Sequence, residues 1–135
     1  MLELTEEALV KASVDVVWAE FTEAALLSEW FWPERFETQA AIDPIPLGRW
    51  QVRSATAGVA VIGEILAIEP PRALRLRWRW DGEEHATDAG LALESAADES
   101  TRVIVRHAGF LTPDERKRHI QGWSDCLQRL IDRHA

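Results

Sequence analysis

The sequence predicts an α+β fold in which a curved antiparallel sheet of about seven strands wraps around a long C-terminal helix, with two short helices after the first strand. Three observations carry that reading. Residues 74–80 alternate apolar side chains with Arg75, Arg77 and Arg79, the period of a strand with one wet face. Residues 112–131 place an apolar stripe at helical spacing behind a well-formed cap. The segments between are strand-like and joined by short turn signals, which makes neighbours antiparallel.

In chain order, Leu2, Leu4, Ala8 and Val10 fall on even positions and predict the first strand. Ser13 is placed to cap a helix, with Asp15 in its first turn and Val14, Val17, Trp18 and Phe21 on one face. Thr22 is read as the cap of a second short helix running through Leu26 and Leu27 towards Trp30. Pro33 stops it, because the residue before a proline is pushed out of the helical region.

Residues 37–43 are a strand candidate, and Gly48 opens a run with Trp50 and Val52. Ala57-Gly58 predicts a hairpin turn into VAVIGEILAIE, which ends at Pro70-Pro71. Leu74, Leu76, Trp78 and Trp80 form the clearest strand, closed by the turn Asp81-Gly82. Residues 89–95 and 101–108, separated by AADES, give the last two strands. Thr112, Pro113 and Glu115 then read as N-cap, N1 proline and the N3 member of a capping box. Ile120, Trp123, Leu127, Leu130 and Ile131, extended by His119, make the stripe, which only the sheet can cover.

A chain of 135 residues with no linker or repeat predicts a single domain over 1–135. The net charge of −8 disfavours nucleic acid as a partner, and the three alternating arginines read as a solvated strand face. Cys126 is the lone cysteine, which fits a reducing cytoplasm. The acidic N-terminus lacks signal-peptide character, and no apolar run reaches the ~20 residues of a membrane span. Thirteen Arg against two Lys suggest a GC-rich bacterial genome by coding bias. Motifs for structural zinc, nucleotide phosphates or a nucleophile elbow are missing from the sequence, so neither metal nor cofactor is expected.

Several segments in order carry a family resemblance: ASVDVVW at 12–18, a helix ending in Trp30, PLGRW at 46–50, GEILAIEPPRALRLRW at 63–78, TRVIVRHAGF at 101–110 and Gly122-Trp123. The chain resembles the activator of Hsp90 ATPase homologue-like family of the START-like, or Bet v 1-like (SRPBCC), superfamily. The resemblance implies a helix-grip fold with a deep cavity between sheet and C-terminal helix. It also implies binding of lipids, hormones or polyketides in some relatives, and cyclisation or hydrolysis in a minority. Two places depart from the family pattern: Trp30-Phe31-Trp32-Pro33 stands where a WG-type motif is usual, and Leu47-Gly48 where a glycine pair is usual. The entrance between helices and sheet is therefore expected to be bulkier.

Alternation places Trp50, Val52, Leu74, Leu76, Trp78, Trp80, Leu91, Leu93, Val103, Val105 and His107 towards the helix, with Ile120, Trp123 and Leu127 facing them. These positions line either a filled core or a ligand cavity. His107 is the polar candidate inside, as ligand anchor, as general base or as a satisfied core histidine. His119 borders the mouth or faces solvent. Glu64, with Ile62 and Leu66 as parity neighbours, either points inward, where it could pair with His107, or reaches water at the sheet edge. Phe31, Trp32 and Phe36 are either a partner or homodimer surface or a pocket lid.

Three functions follow. The first is binding of a small apolar or aromatic molecule. The second is a cyclase- or hydrolase-like enzyme using a cavity histidine and carboxylate. The third is a cochaperone-like or toxin-linked interaction module.

Overall fold

A computed structural model describes residues 2–135. The order is β1 (Leu2–Val10), α1 (Val14–Thr22), α2 (Ala24–Trp30), a 3-10 turn (Glu34–Phe36), β2 (Gln39–Ile42), β3 (Arg49–Ser54), β4 (Val59–Glu69), β5 (Ala73–Trp80), β6 (Ala86–Ala96), β7 (Ser100–Phe110) and α3 (Pro113–Arg133). All seven strands join one antiparallel sheet in the order β1-β7-β6-β5-β4-β3-β2. The helix-grip expected from the sequence is the fold observed. No helix among the described residues is long and apolar enough to cross a membrane.

The alternation in β5 separates two faces. Leu74, Leu76 and Trp78 are buried on the concave side, while Arg75 and Arg77 are exposed on the other. Arg75 forms a two-pronged pair with Asp88 of β6 on that wet face. The last two strands are longer than predicted, because ladder pairing continues from Ala86 and on to Phe110.

One reading is corrected, and of the two alternatives left open for Glu64 the one that reaches water is the one observed. Thr22 does not cap α2; its hydroxyl donates to the Trp18 carbonyl in the last turn of α1, and Glu23 takes the cap position. In β4 the inward residues are Val61, Gly63 and Ile65, so Glu64 is exposed. It sits in register between Arg49 and Arg77 on the outer face, and the His107–Glu64 pairing does not form.

Three side chains tie the short helices to the sheet, to each other and to α3. The Trp50 indole N–H donates to the Phe21 carbonyl at the end of α1 (2.9 Å). The Trp30 indole donates to the Glu20 carbonyl (3.3 Å). Arg129 of α3 donates to the carbonyls of Trp30 and Phe31 (3.0 and 2.7 Å), satisfying groups that the end of α2 leaves open. Leu47 adopts a left-handed φ of 66° and is 74% exposed, so its bulk points to solvent instead of narrowing the entrance. Gly48 beside it must be glycine, since a Cβ there would overlap the Asp43 carbonyl oxygen.

Candidate functional site

The palm under the middle of α3 is packed with rings. Phe31, 3% exposed, enters from the end of α2 and contacts Trp50, Trp78 and Trp123 at centroid separations of 5.5, 6.4 and 5.9 Å. Trp78 in turn stands 5.9 Å from Trp50 and 5.4 Å from Trp123. These are the edge and tilted geometries that aromatic quadrupoles favour. Trp50, Val52, Leu91, Leu93, Val105 and Leu127 are buried with them and form core. Phe31 is correspondingly not a surface residue.

The open space lies at one end of the palm. A cleft of about 1030 Å³ separates the Phe31–Phe36 segment, the β5–β6 turn and the α3 face from Glu115 to Arg129. Of the residues singled out by alternation, Trp78, Trp80, His119 and Trp123 line it, joined by Phe31, Trp32 and Phe36. Ile120 packs against the core and is not part of the lining. Trp32 and Trp80 stack with planes 11° apart and centroids 6.3 Å apart, and Phe36 stands 5.9 Å from Trp32. The Phe-Trp-Pro-Glu-Arg-Phe segment is thus a wall of the cleft, the lid alternative, instead of an exposed apolar patch.

Sequence reasoning missed the charged rim: Arg35 on the lid, Glu83, Glu84 and His85 on the β5–β6 turn, and Glu115, Arg118 and Asp125 on α3. The helical members were findable. Glu115, Arg118, Gly122, Asp125 and Arg129 recur at intervals of three and four beside the apolar stripe, on one side of the helix. His85 lies in a turn with no periodic signal. Its Nε2–H donates to the Gly109 carbonyl (2.7 Å), which ties the turn to β7.

Both central histidines are committed. The Trp123 indole, a donor only, donates to His107 Nδ1 (3.0 Å), so the ring proton is on Nε2 and is donated to Thr87 Oγ1 (2.6 Å). The Thr87 hydroxyl in turn donates to the Trp78 carbonyl (3.3 Å). His107 is 0% exposed; burial, with His119 nearby, pushes its pKa down to about 3. His119 donates Nδ1–H to the Glu115 carbonyl (2.8 Å) and accepts the Trp80 indole N–H at Nε2 (3.0 Å). Neither imidazole keeps a free lone pair for proton transfer. Cys126 is buried, and burial raises its thiol pKa, so the sulfur stays protonated.

The family model described as "Activator of Hsp90 ATPase homolog 1-like protein" matches residues 11–134. No curated protein matches the sequence. Among solved structures, DynU16 of the dynemicin biosynthetic locus is 23% identical with a TM-score of 0.83, covering 96% of this chain and 46% of its own. The chain therefore spans less than half of that protein. Protein Ms6760 from Mycobacterium smegmatis is 16% identical with a TM-score of 0.83, covering 99% of this chain and 91% of its own. PFC0360w, an HSP90 activator from Plasmodium falciparum, is 15% identical with a TM-score of 0.79, covering 96% and 94%. At these identities the structural likeness shows the fold alone.

Proposed function

The chain belongs to the activator of Hsp90 ATPase homolog 1-like family, and on that premise we propose that its aromatic-walled cleft binds a small, largely apolar or aromatic molecule. The fold is one that commonly holds hydrophobic ligands. One observation carries the proposal: Trp32 and Phe36 from the lid, Trp78 and Trp80 from β5 and Trp123 from α3 converge on a single open cleft. Its volume of about 1030 Å³ matches the upper end of the ~300–1,000 Å³ typical for small-molecule sites. A filled palm beneath gives the cleft a rigid floor, so the ligand stacks across the end of the grip instead of sinking into its centre.

Binding is favoured over acid–base turnover by the state of the imidazoles. His107 and His119 already use both ring nitrogens, and Glu64 lies on the opposite face of the sheet. A protein-docking reading has less support, because Trp32 and Phe36 line the cleft and Phe31 is buried in the palm.

The test is a fluorescence titration with 1-aminoanthracene, a flat uncharged probe. Saturable one-to-one enhancement is expected in the wild type. Trp32→Ala and Trp80→Ala should each weaken binding about three- to tenfold, the worth of one lost stacking partner. Enhancement that never saturates, or wild-type affinity in both variants, would rule the cleft out as the binding site.

A further inference from the structure

Glycine inside a helix is unfavourable, because it gives up the most backbone freedom on folding; against alanine the folding equilibrium loses about three- to fivefold. α3 carries one such residue, Gly122, well inside Pro113–Arg133. The usual structural reasons for a glycine do not apply to it. Its φ is not left-handed, and a Cβ built on it would meet no atom within 4 Å. Neither backbone conformation nor packing among the described residues therefore calls for it. Gly122 is exposed, and it lines the cleft. The residues that surround it on the helix surface, three and four positions away, are Arg118, His119, Asp125 and Cys126, and all four line the cleft as well. Gly122 is thus the centre of the face that α3 turns to the cleft, and at that centre the helix presents bare backbone.

We propose that Gly122 is the contact floor of the cleft, where the ligand lays a flat ring against the bare backbone of α3 inside the aromatic walls. The inference rests on the cleft-binding reading above and adds where the ligand sits and what the site selects. Glycine is the residue that lets backbone come close to a ligand, since it has no side chain to hold the ligand off. Close approach matters because dispersion falls steeply with separation, so a ring that touches backbone atoms keeps contacts that a gap of one side chain would forfeit. The peptide groups of a helix interior are already hydrogen-bonded along its axis, so the floor offers contact area and not a polar anchor. Arg118 and Asp125 flank it with opposite charges. Selection at the floor is therefore by shape and not by charge: a planar ring lies flush on it, and a branched molecule touches it at few atoms.

The experiment repeats the 1-aminoanthracene titration with Gly122→Ala and Gly122→Gln, both better helix formers than glycine, and follows each variant by urea unfolding. Binding and stability should move in opposite directions. Gly122→Ala should raise the urea midpoint, its folding equilibrium gaining about three- to fivefold, and should weaken the probe about threefold. The longer Gln should weaken it about tenfold. A second readout needs no substitution. In a 1H–15N spectrum of the wild type, the Gly122 amide should shift as the probe saturates, through the ring current of the bound ring, while Gly58 on the β3–β4 turn holds its place. Wild-type affinity in both variants, or a Gly122 amide that ignores the probe, overturns the floor. So does a urea midpoint that fails to rise in Gly122→Ala, because the fold itself would then be what uses the glycine. If Trp32→Ala and Trp80→Ala still weaken the probe in those cases, the cleft reading stands without the floor; a probe that never saturates the wild type ends both.

Discussion

A single buried imidazole makes part of this protein's stability depend on acid. His107 is buried and neutral in the folded chain, where its Nδ1 accepts from Trp123 and its Nε2–H donates to Thr87. Its pKa falls from the usual 6.5 to about 3 through burial. The unfolded chain therefore binds a proton below pH 6.5 that the folded chain refuses, and stability is complete above that value and lost as pH falls towards 3. Between pH 7 and 4.5 the linked loss is on the order of 2–3 kcal/mol. Any acid dependence that other groups add is common to wild type and to a variant changed only at His107. The comparison must therefore be between wild type and His107→Gln, a side chain that cannot titrate. Urea unfolding at both pH values should show the variant losing less stability by about that amount. Equal losses in the two proteins would mean that His107 is not held neutral by its surroundings.

At the scale of elements, α3 is positioned at both ends and in the middle. Arg116 donates to the Glu3 carbonyl of β1, Arg129 to the end of α2, and Arg133 pairs with Glu20 and Glu29. Its start is set by Thr112, whose hydroxyl accepts from the Glu115 N–H (3.1 Å), while the Glu115 carboxylate reaches back to the Leu111 N–H (3.0 Å). Thr112→Ala should cost about 1 kcal/mol in urea unfolding and Thr112→Ser should restore most of it; an unchanged midpoint for the alanine variant would show that the cap is dispensable. This helix was legible because its cap, N1 proline and stripe all agree. So was β5, where charge and apolar character alternate without a break. β4 was not, for a physical reason: VAVIGEILAIE is apolar on both parities, and the register shifts between Ile65 and Ala67, so alternation cannot select a face. The candidate site was legible in half. The parity of β5 and the stripe of α3 located Trp78, Trp80, His119 and Trp123. Nothing in Trp30-Phe31-Trp32 says which ring fills the palm, because that depends on how Arg129 and Trp50 seat α1 and α2.

Across the whole molecule, the same aromatic cluster ties together segments far apart in sequence. Phe31 follows α2, Trp50 belongs to β3, Trp78 to β5 and Trp123 to α3, and every pair among them is in ring contact except Trp50 with Trp123. The sheet closes the connection, since β1 pairs with β7, setting Leu4 opposite His107 and Val10 opposite Thr101. No half of the fold retains both a covered concave face and a complete cluster. We propose on this basis that the chain is one cooperative unit. Tryptophan emission, which reports the cluster, and far-ultraviolet circular dichroism, which reports sheet and helices, should then follow one superimposable urea transition. The coupling should survive damage as well. Trp123→Phe removes the donor to His107 Nδ1 and should lower the midpoint for both probes together, because the sheet cannot keep its order once α3 loosens from it. A variant in which emission changes at lower urea than the dichroism would mean that the sheet stands without its helix, and that the ring cluster decorates the grip instead of holding it closed.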